Sequence, residues 1–252
     1  MEILLYTYSF ALGLLLGSFY NVVGLRVPKN QSIIFPASHC TGCQRKLTPL
    51  ELIPVLSYIF LRGKCKNCGG RVSPIYPFVE ITTATLFTIS PLLVGWSKEL
   101  LIAWALISLL MIIFVSDMAY MLIPDKVLLY FGVFFVITRL FIPLDPWWDA
   151  YLGAAIGFTL PLLIAIVSKG GMGGGDIKLF AVLGFVLGWQ GILLAFLFSS
   201  FYGAFLGLIG MIFGKVKRGQ PMAFGPYIVL GALTAYFFGE KIVNWYFTSF
   251  IA

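Results

Sequence analysis

The stretch Gly171-Met172-Gly173-Gly174-Gly175-Asp176-Ile177-Lys178 sets one carboxylate behind four glycines, between two long apolar runs. Glycine lacks Cβ, so this backbone can adopt φ > 0 and let another segment approach closely. A carboxylate at the edge of an apolar run is costly unless it is paired or used. Alone, the stretch reads equally as a left-handed turn between two helices, with Asp176 capping the second. A second carboxylate changes that balance. Asp117 ends the continuous apolar run 101–115, in the last turn of a helix, where a negative charge opposes the helix dipole. A residue placed against its local preference needs another reason. Two carboxylates in a desolvated site cannot both ionise easily, so one keeps its proton while the other stays charged. Such a pair can deprotonate a water while donating a hydrogen bond to a peptide carbonyl, which is aspartic-protease chemistry.

The other acidic residues sort by position. Of the ten carboxylates, Glu2, Glu99, Asp145, Asp149 and Glu240 fall at one membrane face and read as solvated. Asp125 follows Pro124 and precedes an apolar helix, the type and place of an N-cap. Glu80 lies about one turn inside an apolar run, and Arg71 is its expected partner. His39 is the only histidine and reads as a solvated loop residue. No Gly-x-Ser-x-Gly elbow accompanies it, no His-Glu-x-x-His is present, and residues 173–175 lack the Lys-Ser/Thr of a phosphate loop. Chemistry must therefore rest on carboxylates and backbone groups.

All four cysteines lie in one loop: Cys40-x2-Cys43, a gap of 21 residues, then Cys65-x2-Cys68. This is four-thiolate zinc spacing, with glycines nearby (Gly42, Gly69 and Gly70) that suit tight turns around sulfur. Two disulfides are the rival reading. The charge distribution places the loop in the reducing cytosol, where disulfides rarely persist. Four thiolates leave the metal no open position, so the expected role is structural.

These residues must be positioned by membrane helices. The chain is 60% hydrophobic and 11% charged over 252 residues, too few charges to cover a water-soluble domain. The expected fold is all-α and polytopic, with about eight transmembrane helices near 3–25, 75–95, 100–117, 127–143, 150–168, 177–190, 192–214 and 223–247. The least defined boundary falls at Gly188-Trp189-Gln190-Gly191. The domains follow as 1–25 (first span), 26–74 (zinc-binding loop) and 75–252 (a seven-helix membrane protease domain). With eight spans, one side receives 14 of the 17 basic residues, and the other only Lys98, Arg139 and Lys241. The basic side is cytoplasmic by the positive-inside rule, which leaves both termini outside. The net charge of +7 is then a topology signal with some attraction to anionic membrane lipid, and not a nucleic-acid footprint.

These motifs resemble the bacterial type IV prepilin peptidases. Gly173-Gly174-Gly175-Asp176 fits the family's Gly-x-Gly-Asp, with Ile177-Lys178-Leu179 behind it. Asp117 with Leu122-Ile123-Pro124-Asp125 fits the first catalytic segment. Gly17-Ser18-Phe19-Tyr20-Asn21-Val22-Val23 with Arg26 and Pro28, Ile53-Pro54-Val55-Leu56-Ser57, Arg62-Gly63-Lys64-Cys65 and Tyr76-Pro77 with Glu80 fit the remaining signatures. Many members carry a further Asp two residues after the first; here Ala119 stands there, which removes a rival to Asp117. The resemblance implies a GxGD aspartic endopeptidase that cleaves the leader from prepilins or pseudopilins at the cytoplasmic membrane face. Asp117 and Asp176 would be catalytic and Gly173 and Gly175 supporting. Prepilins carry a short basic leader, a glycine before the cut, then an apolar helix. The resemblance also implies a second activity, methylation of the new N-terminus with S-adenosylmethionine, for which Gly63, Lys64 and Glu80 are candidate or merely structural residues. The similarity is strongest to the Gram-positive late-competence type. A proton- or cation-coupled transporter using the same carboxylates is the alternative; such sites sit near the bilayer midplane between repeated halves, whereas these carboxylates lie at one edge of a chain without evident repeats. A non-enzymatic zinc-loop scaffold is a third reading.

Overall fold

The computed structural model describes residues 2–214 and 222–250. The basic segment 215–221, expected on the cytoplasmic side, lies outside the described residues. The chain divides into two compact units, 1–115 and 116–252.

In the first unit, helix α1 (Glu2–Arg26) leads through a short 3-10 turn into the cysteine-bearing loop, which holds a second 3-10 turn (Pro49–Leu52) and the short helix α2 (Leu56–Phe60). Helices α3 (Ile75–Val94) and α4 (Glu99–Tyr120) follow, and the unit boundary falls inside α4. Helix α1 buries a stripe of mostly small residues, Ser9, Gly13, Gly17, Asn21 and Gly24, at steps of three and four. Small residues let membrane helices approach backbone to backbone. A Cβ on Gly13 would fall 2.6 Å from Ala84 Cα, and one on Gly17 2.8 Å from Glu80 Cα. Polar side chains tie the same helices: Trp104 Nε1 donates to Ser90 Oγ at 2.9 Å, and Asn21 Nδ2 donates to the Tyr76 carbonyl at 3.2 Å.

The second unit contains the last turn of α4 with helices α5 (Asp125–Phe141), α6 (Asp149–Val167), α7 (Gly174–Ile212) and α8 (Gly225–Phe250). Helix α7 is continuous in hydrogen bonding for 39 residues except at Gly188, whose φ of 72° and ψ of 179° are not helical. Phe180 and Phe196 have ring centroids 5.4 Å apart, whereas sixteen residues of straight helix would separate them by about 24 Å. The chain therefore reverses at Gly188, and α7 is a hairpin of two helices.

A break inside an apolar environment frees backbone groups that must find partners. Arg139, buried in the last turn of α5, donates from Nη2 to the Val186 carbonyl at 2.7 Å. Asp149, in the first turn of α6, accepts the Trp189 N–H at 2.9 Å. The cation meets the carbonyl end of one half and the anion meets the amide end of the other, the signs the helix dipoles favour. Asp149 is thus a structural acceptor where the sequence placed it among solvated charges. Helix α6 approaches the hairpin through Gly153 and Gly157, and Gly153 meets Gly184 and Gly188 backbone to backbone.

Among the described residues, five helices are long and apolar enough to cross a membrane: α1 with its following turn, α3, α4, α6 and α7. Helix α7 divides at Gly188, and the 17-residue α5 and the 26-residue α8 are not among these five. Among the described residues there is no strand beyond two isolated bridges in the loop. The fold is all-helical, with the four-cysteine cluster between the first two long helices.

The α6 contact generates a test. A Cβ on Gly153 would meet Gly188 C at 2.6 Å and Cα at 2.8 Å, and backbone cannot swing aside as a side chain can. Gly153→Val is expected to cost about 1–3 kcal/mol, the usual range for overpacking, read as a lower midpoint of thermal unfolding in detergent. An unchanged midpoint would show that the hairpin is not held by this contact.

Candidate active site

Asp117 lies in the last turn of α4 and is only 5% exposed. The chain turns sharply behind it. Met121 takes a left-handed φ of 51° and donates its N–H to the Asp117 carbonyl at 2.8 Å, and the Ser116 hydroxyl donates to the Leu122 carbonyl. This folds 121–124 back beneath the helix end and buries Ile123. The Asp117 carboxylate accepts the Gly225 N–H, the first of α8, at 2.7 Å. That contact supplies the reason for Asp117's position: a negative charge unfavourable at the end of its own helix is favourable at the start of another.

Asp176 is the third residue of α7, and its carboxylate accepts the N–H of Gly173, the N-cap, at 3.2 Å. It therefore does cap the helix, as one reading of the sequence allowed. The glycines before it act differently from expectation. The left-handed residues are Lys169 and Gly170, not the run 173–175. Gly175 serves close approach, because a Cβ there would fall 2.9 Å from Ile123 Cβ. The turn behind Asp117 thus packs onto the glycine beside Asp176. Both carboxylates line one cavity of about 330 Å³, with Gly173, Gly174 and Gly175 along its wall.

Asp125 is not the N-cap of α5. Pro124 holds that position, without a side-chain bond, and Asp125 is the first helical residue. Its carboxylate instead receives Lys178 Nζ at 2.8 and 2.9 Å, and both residues are largely exposed. Proline cannot donate an N–H and its φ is preset, so it is well placed at a helix start.

The loop brings its four sulfurs within 4.8 Å of one another, with Cys40 to Cys68 at 3.8 Å and Cys43 to Cys65 at 4.0 Å. Bonds of about 2.3 Å at tetrahedral angles would hold sulfurs about 3.8 Å apart. The two knuckles repeat one design. A bridge between His39 and Lys46 frames the first and a bridge between Lys64 and Arg71 the second. Cys40 N–H donates to the Arg45 carbonyl at 2.9 Å, and Cys65 N–H to the Gly70 carbonyl at 2.8 Å. His39 is half-buried, with Nδ1 at 3.1 Å from the Ala37 carbonyl.

The electrostatics of the cluster suit a cation. The Cys68 and Asn67 N–H groups pull the Cys65 thiol down to about 6, and the Arg45 N–H and the Asn67 amide lower Cys43. At Cys68 the Gly70 N–H is outweighed by the neighbouring sulfurs, which push its thiol up to about 11. Four sulfurs so close cannot all ionise unless a positive ion joins them, so the donor set fits a structural metal. Arg45 and Thr48 hold the Glu51 carboxylate down to about 2 and brace the first knuckle.

The remaining residues singled out in the sequence have local partners. Gly63 takes φ of 65°, and a Cβ there would lie 2.9 Å from the Tyr58 ring. Lys64 belongs to the bridge framing the second knuckle. Glu80 accepts the Val55 N–H at 2.7 Å and a bond from Ser18, in place of the expected Arg71. Gly63 and Lys64 thus sit beside the second knuckle, and Glu80 ties the start of α3 to the loop.

Comparison with known proteins identifies the family. The model of the bacterial peptidase A24 N-terminal domain matches residues 11–94, and that of the type IV leader peptidase family matches residues 104–208. A prepilin leader peptidase/N-methyltransferase of Bacillus subtilis is 48% identical over 94% of this chain and 96% of its own length. The chain belongs to the type IV leader peptidase family. Relatives of the same name from Aeromonas hydrophila (33% identical, 98% of this chain and 96% of the relative) and Pseudomonas aeruginosa (34%, 93% and 91%) extend the match. No solved structure matches the chain significantly. The leader peptidase resemblance drawn from the motifs is thus borne out.

Gly225 escaped the sequence analysis, although Phe224-Gly225-Pro226 opens the last apolar helix with a helix-start proline beside it. An added Cβ would fall 2.7 Å from Asp117 Oδ2 and 2.9 Å from its Cγ. Gly225→Ala keeps the N–H but displaces the carboxylate, so cleavage of a co-expressed prepilin is expected to fall about a hundredfold with normal accumulation of the protein. Wild-type cleavage would show that Asp117 tolerates displacement.

Proposed function

We propose that this protein is a multi-pass membrane aspartic endopeptidase that removes the leader from type IV prepilins or pilin-like precursors. The observation that carries the reading is the single cavity lined by both Asp117 and Asp176 in a chain of the leader peptidase family. One carboxylate takes a proton from water as the water oxygen adds to the scissile carbonyl, and the protonated partner donates to the carbonyl oxygen. On collapse of the tetrahedral intermediate the C–N bond breaks, the carboxyl that took the water proton gives it to the leaving amine, and a gem-diol hydroxyl returns a proton to its partner, so the dyad ends ready for another cycle. Gly225 and Gly173 orient the two carboxylates through their N–H groups, and Gly175 sets the approach of the 121–124 turn.

The wider reading follows the charge distribution. The eight segments cross the bacterial inner membrane, the 26–74 loop faces the cytoplasm with the dyad edge, and both termini lie outside. Cys40, Cys43, Cys65 and Cys68 hold one structural zinc, supported by tetrahedral sulfur spacing and cytosolic redox conditions. The N-methyltransferase activity in the relatives' names supports a second step, transfer of a methyl group from S-adenosylmethionine to the new N-terminal amine. The motif resemblance to the late-competence type favours a competence-type pilin-like substrate. Family membership displaces the transporter reading of the same carboxylates.

Asp→Asn keeps shape and removes the titrating group. Asp117→Asn and Asp176→Asn are each expected to abolish cleavage of a co-expressed prepilin with the protein still present in the membrane, and the double variant to be no worse, since the pair acts as one unit. Asp125→Asn is expected to retain most activity, because its exposed ion pair is worth at most about 1 kcal/mol. Wild-type cleavage by both dyad variants would defeat the protease reading. Metal analysis of the purified chain is expected to find one zinc per chain, lost in Cys40→Ser; a chain that folds and retains no metal would refute the zinc assignment.

A further inference from the structure

A second, larger cavity adjoins the one that holds the carboxylates. It has a volume of about 680 Å³ and runs as a groove along α5 and α7. Its floor on α5 is a helical stripe, Asp125, Leu129, Gly132, Val133 and Val136, and Val182 contributes from α7. From Asp125 to the end of the stripe is about 17 Å, a little over half the hydrocarbon thickness of a bilayer. Leu129 is 71% and Val133 52% exposed. Gly132 leaves the groove wall without a side chain; a Cβ there would lie 3.6 Å from Val182. Asp125 and Lys178, joined by their ion pair, line both this groove and the carboxylate cavity. An occupant lying along the stripe would therefore have its end delivered to Asp117 and Asp176.

The physics of that position restricts the occupant. The two carboxylates end or begin apolar helices, so a peptide bond held between them lies at the membrane edge. The chain on one side of that bond must continue into the bilayer. There its backbone groups can be satisfied only within a helix, and its side chains must be apolar. An apolar groove with a small residue in its wall is the surface such a helix packs on. A lipid chain could fill the apolar part, but it would have no need of a polar end opening onto a catalytic cavity. We propose that the α5–α7 groove docks the apolar transmembrane helix that follows the scissile bond of the substrate, and so selects membrane-anchored precursors over soluble peptides. This inference rests on the peptidase reading above.

Two measurements test it in the full chain. A photoreactive benzoyl-phenylalanine at Leu129 or Val133, in an Asp117→Asn background that leaves substrate uncut, is exposed to a co-expressed prepilin. Adducts are expected on the prepilin's apolar segment at residues three or four apart, and none from Leu163, a 60% exposed position on α6. Adducts to lipid alone, or equal capture from Leu163, would overturn the proposal. Separately, Gly132→Trp fills the groove away from the dyad. It is expected to raise KM for a vesicle-embedded prepilin about tenfold, while cleavage of a short soluble peptide spanning only the cut stays unchanged. An unchanged KM for the prepilin, or an equal loss on both substrates, would overturn it. Failure of the peptidase reading would look different, because cleavage would then survive Asp117→Asn itself.

Discussion

A backbone N–H or C=O freed at a helix end within a membrane protein has no bulk water to turn to, so it must be met by another group of the chain. That constraint organises the second unit. At Gly188 it accounts for two charges, Arg139 on the Val186 carbonyl and Asp149 on the Trp189 N–H. At the start of α8 it brings the Gly225 N–H to Asp117, and at the start of α7 it brings the Gly173 N–H to Asp176. The candidate catalytic carboxylates are thus also helix-end partners. Structure and proposed chemistry use the same hydrogen bonds, since a carboxylate oriented by a fixed N–H is already aimed for proton transfer.

Glycine plays a different part at each of these places. At Gly188 it supplies a conformation other residues resist, and the hairpin turns on it. At Gly175 and Gly225 it supplies room, in one case for Ile123 and in the other for the Asp117 carboxylate. In α1 and α6 it lets helix backbones meet, which replaces the hydrophobic drive that apolar lipid cannot provide. The Asp125–Lys178 pair, by contrast, is exposed and contributes little to stability.

The cysteine loop follows a separate logic in the first unit. Its two knuckles are near copies in backbone hydrogen bonding, each framed by one bridge and each presenting two sulfurs. A segment with so little apolar core of its own depends on a staple, and a metal held by four thiolates is the staple its donor set fits. Glu80 ties this segment to α3 through the Val55 N–H.

What the sequence determined by itself was the chemistry available and the order of the helices. Hydropathy runs, cysteine spacing and the shortage of histidine are local, additive signals, so the helical segments, the four-thiolate cluster and the acidic pair were legible at the level of named residues. Partnerships across distant segments were not. Asp125 looked like a cap because its neighbours in sequence said so, yet it pairs with Lys178, and Pro124 holds the cap position. Asp149 and Arg139 looked like surface charges because nothing nearby in sequence reveals that a break at Gly188 will expose backbone groups beside them. Gly225 gave no sign of its link to Asp117, since the two lie 108 residues apart. Tertiary structure decided these contacts because a freed backbone group takes the partner that folding places within hydrogen-bond reach, and that placement is a property of packed helices rather than of any local run of residues.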